Sequence, residues 1–219
     1  MRLWRFSPAV LLFCLALESC APWTVRPIES GTDAASGSAA LTPAAYVDSI
    51  WTAKLVPAVM AAAVDARTLL DALAASPAEA SARYGHKESG AAACFIVKGR
   101  GLVVRVDTMS RNGLALVDVA PFDGRPDVSI QIGPVLRGAS LRDATGVVRF
   151  SDFVNPLQFA DVGNELNDRV LKTVLAPIDR AALGGRVVSF AGTLAVEENK
   201  TEPPLRELVP VTLVVEERR

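Results

Sequence analysis

The first apolar run of the chain is short and sharply bounded. Residues 9–17 are uncharged and apolar, they follow Arg2 and Arg5, and Ser19-Cys20 comes just after. Nine residues cannot cross a bilayer core, which takes roughly 20 in a helix. A basic head, an apolar stretch and a small residue before the cut are the parts of an export signal, so residues 1–19 are expected to be removed. Residues 20–41 then lose all hydrophobic period and are rich in Ser, Gly, Ala, Thr and Pro. They read as a tether, with a reach of about 25 Å if flexible.

Helical spacing begins at Thr42, an N-cap type, followed by Pro43 at the first helical position. Tyr46, Val47, Ile50, Trp51 and Leu55 recur on one face until Pro57, which predicts an interruption. A second helix is expected through the Ala-rich stretch to about Ala75, with Val59, Val64, Leu69, Leu70 and Leu73 apolar. Ser76-Pro77-Ala78-Glu79 has the form of a capping box for a short third helix that stops at Gly85. Residues 42–85 thus read as a helical subdomain.

After Gly90 the period changes to two. Strands are expected over residues 94–98, 102–108, 114–119, 128–132 and 146–150, with turns at Gly99-Arg100-Gly101 and Arg111-Asn112-Gly113. A helix follows, capped by Asn155 and opened by Pro156, with Leu157, Phe159, Val162, Leu166, Val170 and Leu171 as its apolar face. Residues 186–196 and 208–216 read as the last two strands, separated by a polar loop over 197–204 that carries Pro203-Pro204. This order predicts an α+β protein: a small helical subdomain, then over 86–219 an oligonucleotide/oligosaccharide-binding (OB)-like, mostly antiparallel, partly open barrel with one helix before its last two strands. An antiparallel α+β sandwich is the competing architecture.

Composition changes this picture mainly by exclusion. Half of the residues are hydrophobic, enough for a packed core. Lys and Arg total 23 against 24 Asp and Glu, and loss of residues 1–19 leaves 21 against 23. No excess of positive charge remains for a nucleic acid. Of the three cysteines, Cys14 leaves with the signal. Leu17-Glu18-Ser19-Cys20 resembles a bacterial lipobox, with Leu three residues before the Cys and a small residue next to it; Glu18 departs from that pattern. Cys20 is therefore expected to carry lipid as the first mature residue. The alternative cut after Ala21 would fall before Pro22, a poor scissile bond. Cys94, within an apolar run, reads as a buried small hydrophobe with no disulfide partner.

A longer pattern runs through Tyr84-Gly85, Val97-Lys98-Gly99, Ile132-Gly133-Pro134-Val135, Arg137-Gly138, Leu141-Arg142-Asp143-Ala144, Phe150, Phe153, Asn155, Phe159-Ala160-Asp161-Val162 and Leu166-Asn167. These residues resemble the predicted periplasmic lipoproteins of unknown function, domain of unknown function 2291. In that family the asparagine is usually followed by glutamine, whereas here Asn155 meets Pro156. The resemblance implies an envelope accessory role, since genes of the family often lie beside sugar ABC-transporter components.

Chemistry-bearing residues are sparse. His86 is the only histidine and has no Cys or acidic pattern beside it, so no zinc site is expected. No Gly-x-Ser-x-Gly elbow and no phosphate loop are present. Asp161, Asn164 and Asn167 form a polar stripe that reads as a solvated helix face. The informative segment is 133–143, where Arg137 and Arg142 sit in a Gly- and Pro-punctuated connection. Guanidinium forks suit carboxylates, phosphates and sugar hydroxyls. Arg137, Arg142, Asp143 and Asn155 are thus the candidate ligand or partner residues, with Arg142 paired to a nearby Asp as the purely structural alternative. Three functions compete. The first is a non-enzymatic binding or accessory lipoprotein anchored by its lipid and facing the periplasm, contacting a sugar transporter component or a small polar ligand. The second is an assembly lipoprotein without a small ligand, docking through an apolar face over 46–73. The third is a glycan-acting enzyme with paired carboxylates. Neither a cofactor nor a metal is expected.

Overall fold

A computed structural model describes residues 42–86, 92–196 and 205–216. The expected signal, Cys20, the tether and the 197–204 loop lie outside these residues.

The architecture follows from one long strand. Strands β1 (Val64–Asp65) and β2 (Gly85–His86) are short, while β3 runs unbroken from Ala93 to Asp107. The expected turn at Gly99-Arg100-Gly101 is therefore absent. Those glycines serve close approach instead. A Cβ on Gly101 would lie 2.3 Å from Val117 Cγ1, and one on Gly99 would lie 2.9 Å from the Phe190 ring. The bare backbone lets β3 pass between two partners. From Ala93 to Leu102 it pairs antiparallel with β6 (Val187–Val196), and from Gly101 to Asp107 with β4 (Leu114–Val119). β4 pairs antiparallel with β5 (Val128–Gln131), β5 runs parallel to β7 (Arg206–Val215), and β7 returns antiparallel to β6. The sheet thus closes as β3-β4-β5-β7-β6-β3. The ring is uneven: β5 and β7 share three residue pairs, β3 and β6 ten. This is the OB strand order, and the Arg111-Asn112-Gly113 turn closes the β3–β4 hairpin as expected, with Gly113 at φ +48°.

The helical part departs from its expected breaks. Helix α1 (Pro43–Ile50) is capped by Thr42 and runs through a π-helical turn, Trp51–Leu55, directly into α2 (Val56–Ala62). Pro57 does not interrupt the rod. Lying in the first turn of α2, after a widened turn, it gives up an N–H that would otherwise be contested. The break comes instead at Ala63, where the chain extends and β1 pairs parallel with Val97-Lys98 of β3. Asp65 caps the next helix, α3 (Ala66–Ala75), by accepting from Thr68 N at 3.1 Å. Ser76 then caps α4 (Pro77–Tyr84) as expected. Val47, Ile50, Leu55, Val59, Leu69 and Leu73 are all buried and share one continuous core with Phe95, Ile130 and Leu194 of the barrel.

Residues 146–150, expected as a strand, are bends leading to a 3₁₀ turn, Phe150–Asp152. Gly146 there takes φ +64°, which breaks an extended run. Between β5 and β6 lie the short helix α5 (Ser140–Asp143) and α6 (Pro156–Val170), the latter capped by Asn155. Phe159, Val162, Leu166 and Val170 face the core, but Leu157 is turned to solvent.

Candidate functional site

The segment leaving β5 is held by side chains rather than by a ladder. Gln131, almost fully buried, grips Arg137 from both sides of the peptide. Its Oε1 accepts from Arg137 N at 2.7 Å, and its Nε2 donates to Arg137 O at 3.2 Å. Gly133 (φ +80°) and Gly138 (φ +91°) turn the chain on either side, and buried Leu136 pins it to the core. Arg137 itself is exposed, and among the described residues only its backbone, not its guanidinium, has a hydrogen bond. A rigid backbone therefore presents a cation that is still available for a ligand.

Arg142 is in the opposite situation. Its Nε and Nη2 donate to the two oxygens of Asp143 at 2.6 and 3.0 Å, and its Nη1 donates to Phe159 O at 3.3 Å. The guanidinium lies 3.8 Å over the Phe159 ring. Both side chains are mostly buried, 15% and 10% exposed. With its fork filled by Asp143, Arg142 fastens α5 onto α6 and has little left for a ligand. Ser140 adds a buried hydroxyl contact to Thr193 of β6 at 3.0 Å.

The four candidate residues do not converge. Asn155 Oδ1 accepts from Gln158 N at 2.9 Å as the cap of α6. Asn167, twelve residues on, donates to Gly138 O at 3.0 Å and ties the Arg137 loop to the other end of that helix. Twelve residues of helix span about 18 Å. Asn155 and the Arg137 loop thus attach to opposite ends of α6. Of the expected polar stripe, Asn164 is exposed and Asp161 partly so, while Asn167 is buried.

Several polar residues that the sequence does not single out matter here. Gln131 Nε2 and Asn112 Nδ2 both donate to Glu207 Oε2, at 3.1 and 3.3 Å, which joins the β3–β4 turn, β5 and β7 beside Arg137. The isolated signal was Asn112 before a glycine; Gln131 and Glu207 had none. Arg206 follows the parity of buried Leu208 on β7; its Nε is buried without a partner among the described residues, and burial pushes its pKa down. On the far side, Arg67 of α3 donates to Val119 O at 2.8 Å and to Asp127 Oδ2 at 2.9 Å.

Nucleophilic chemistry finds little support. Cys94 is 4% exposed, and burial first, then the nearby Asp143 charge, raise its thiol to about 11. At neutral pH it stays protonated. His86 is exposed and pairs in β2 with Cys94 of β3. Among the described residues no group of His, Cys, Asp or Glu is arranged to hold a metal ion. A shallow hollow of about 470 Å³, lined by Pro177, Ile178, Leu183, Arg186, Leu213 and Val215, includes none of the candidate residues. No helix among the described residues is long and apolar enough to cross a membrane.

A family model described as "Predicted periplasmic lipoprotein", domain of unknown function 2291, matches residues 10–214. No curated protein matches the chain. Among solved structures, an OB-fold protein from Thermotoga maritima is similar at a TM-score of 0.67 and 20% identity, over 80% of this chain and 98% of that one. That likeness agrees with the strand order and concerns the fold.

Proposed function

We propose that this chain, which belongs to the predicted periplasmic lipoprotein family of domain of unknown function 2291, is a non-enzymatic binding or accessory protein, anchored to an envelope membrane by lipid on Cys20. Family membership supports the envelope setting. Its contact is with a sugar-transporter component or a small polar ligand, and Arg137 is the residue that makes it. The observation carrying this reading is the contrast between the two arginines. Arg142 has its fork occupied by Asp143, whereas Arg137 is exposed on a backbone clamped by Gln131. A preorganised cation loses little freedom on binding an anionic or polyhydroxyl partner.

The assembly alternative loses its supporting feature. The apolar residues over 46–73 are turned inward, and of the large hydrophobics there only Met60 is strongly exposed, at 46%. Two experiments test the proposal. Cys20→Ser should release the protein into the soluble fraction or leave unprocessed precursor; normal processing with membrane retention would refute the anchor. Pull-downs from native membranes with parent and Arg137→Ala should differ in recovered transporter subunits, with binding weakened by about 1.5–3 kcal/mol if a charged hydrogen bond is lost. Equal recovery would remove Arg137 from the site.

A further inference from the structure

A second surface, distinct from Arg137, lies around the start of α6. Val154 is 90% exposed, Leu157 71% and Phe150 46%, three large apolar side chains within eight residues. They are held firmly. Phe153 N donates to Phe150 O at 3.2 Å, Arg149 N to Asp152 Oδ2 at 3.4 Å, and Asn155 and Pro156 fix the first turn of α6 behind them. Aromatic rings back the patch: Phe150 meets Phe159 edge-on at 5.3 Å, Phe153 lies 5.7 Å from Phe159, and Tyr46 meets Phe153 edge-on at 5.2 Å.

Tyr46 places this patch beside the point where the described fold begins. Its N–H donates to Thr42 O at 2.9 Å, so the chain enters the described fold one turn from the Tyr46–Phe153 contact. Cys20 lies 22 residues before Thr42, a span of about 25 Å for a flexible coil. We infer that the face carrying Phe150, Val154 and Leu157 rests against the lipid surface in which the Cys20 acyl chains are inserted. This rests on the anchored reading above.

Size and shape favour lipid over a protein partner. Three protruding side chains offer a few hundred Å², below the roughly 500 Å² that each side contributes to even a small specific protein interface. A surface already tethered to the bilayer needs far less, because the anchor supplies the effective concentration. The contact would also orient the barrel, which a lipid anchor at one point of the chain does not do.

The test uses the mature, full-length lipoprotein in vesicles of phosphatidylethanolamine and phosphatidylglycerol, some with brominated acyl chains. An environment-sensitive fluorophore is placed by Leu157→Cys, by Val154→Cys, or by Lys172→Cys, which lies about 22 Å along the helix from Leu157. Buried Cys94 does not compete for label, and the acyl mass on Cys20 is read by mass spectrometry. The expected result is a blue shift and strong bromine quenching at 154 and 157, with water-like emission and little quenching at 172. Acylated protein whose three probes are alike and water-like overturns the lipid contact alone. Shielding of 154 and 157 only in native membranes, with cross-links to a protein, also overturns it. A mature chain without acyl mass overturns the anchor and this inference together.

Discussion

Replacing Arg142 with alanine removes three things at once, and their sizes differ. The stacking over Phe159 at 3.8 Å is worth about 0.5–2 kcal/mol. The donor to Phe159 O at 3.3 Å is a long hydrogen bond to one carbonyl, contributing about 1 kcal/mol. The dominant effect is left on Asp143, whose side chain is 10% exposed and whose two oxygens both lose their partner. Removing one member of a buried pair costs about 3–5 kcal/mol because the other charge stays stranded. These effects overlap, so Arg142→Ala should lose about 3–5 kcal/mol in urea unfolding, or roughly 6–20 °C in Tm for a domain of this size. Arg137→Ala, which empties no buried pair, should stay within about 0.5 kcal/mol of the parent. The double variant Arg142→Ala/Asp143→Ala identifies the cause. If the stranded carboxylate dominates, removing it should recover about 1–3 kcal/mol relative to Arg142→Ala alone. A loss under about 1 kcal/mol for Arg142→Ala, or a double variant no more stable than the single one, would refute this account.

Gly101→Ala should cost about 1–3 kcal/mol or more, since the new Cβ would fall 2.3 Å from Val117 Cγ1 and 2.7 Å from Asp118 O and force β3 and β4 apart. Gly184→Ala, with φ −55° and nothing within 4 Å of its Cβ, should instead stabilise by about 0.4–1 kcal/mol; thermal melts of the two compare close approach with backbone freedom alone. Raising the Cys94 thiol from 9.0 to about 11 means the folded chain keeps a proton that the unfolded chain releases. The resulting stabilisation, about 2–3 kcal/mol, is complete below pH 9 and lost as pH rises through 11. In urea melts from pH 8 to 11 the stability of the parent relative to Cys94→Ala should therefore fall by about 2–3 kcal/mol toward the alkaline end, and parallel curves would show that the thiol does not titrate differently on folding.

The caps and the closing strands were legible because their causes are local. Thr42, Ser76 and Asn155 each precede a proline, and each takes the backbone N–H three residues on. Val128, Ile130 and Leu208 lie at period two and end up inside the ring. The misreadings came where tertiary contact decides. Gly99 and Gly101 carry the chemistry of a turn, yet what requires them is Phe190 and Val117 from strands distant in sequence. Val64 fits a helical apolar face, and only the exposed edge of β3 at Val97 draws it into a strand. Pro57 looks like a breaker until the π-helical turn before it is known.

The arginine segment shows the same limit at the level of chemistry. That Arg142 has an acid beside it in sequence says little, because adjacent side chains usually point apart. Here α5 is a single turn of four residues, and the flat ring of Phe159, seventeen residues away, gives the guanidinium a surface on which to lie facing Asp143. Arg137 is presented for an equally distant reason: the amide of Gln131 takes both backbone groups of its peptide and so leaves the side chain outside. Neither outcome belongs to the arginine itself. Gln131→Leu should therefore cost Arg137 its fixed position while keeping its charge, and a partner that reads geometry would lose affinity from this change almost as from Arg137→Ala. A partner that reads charge alone would show binding unchanged by Gln131→Leu and weakened by Arg137→Ala.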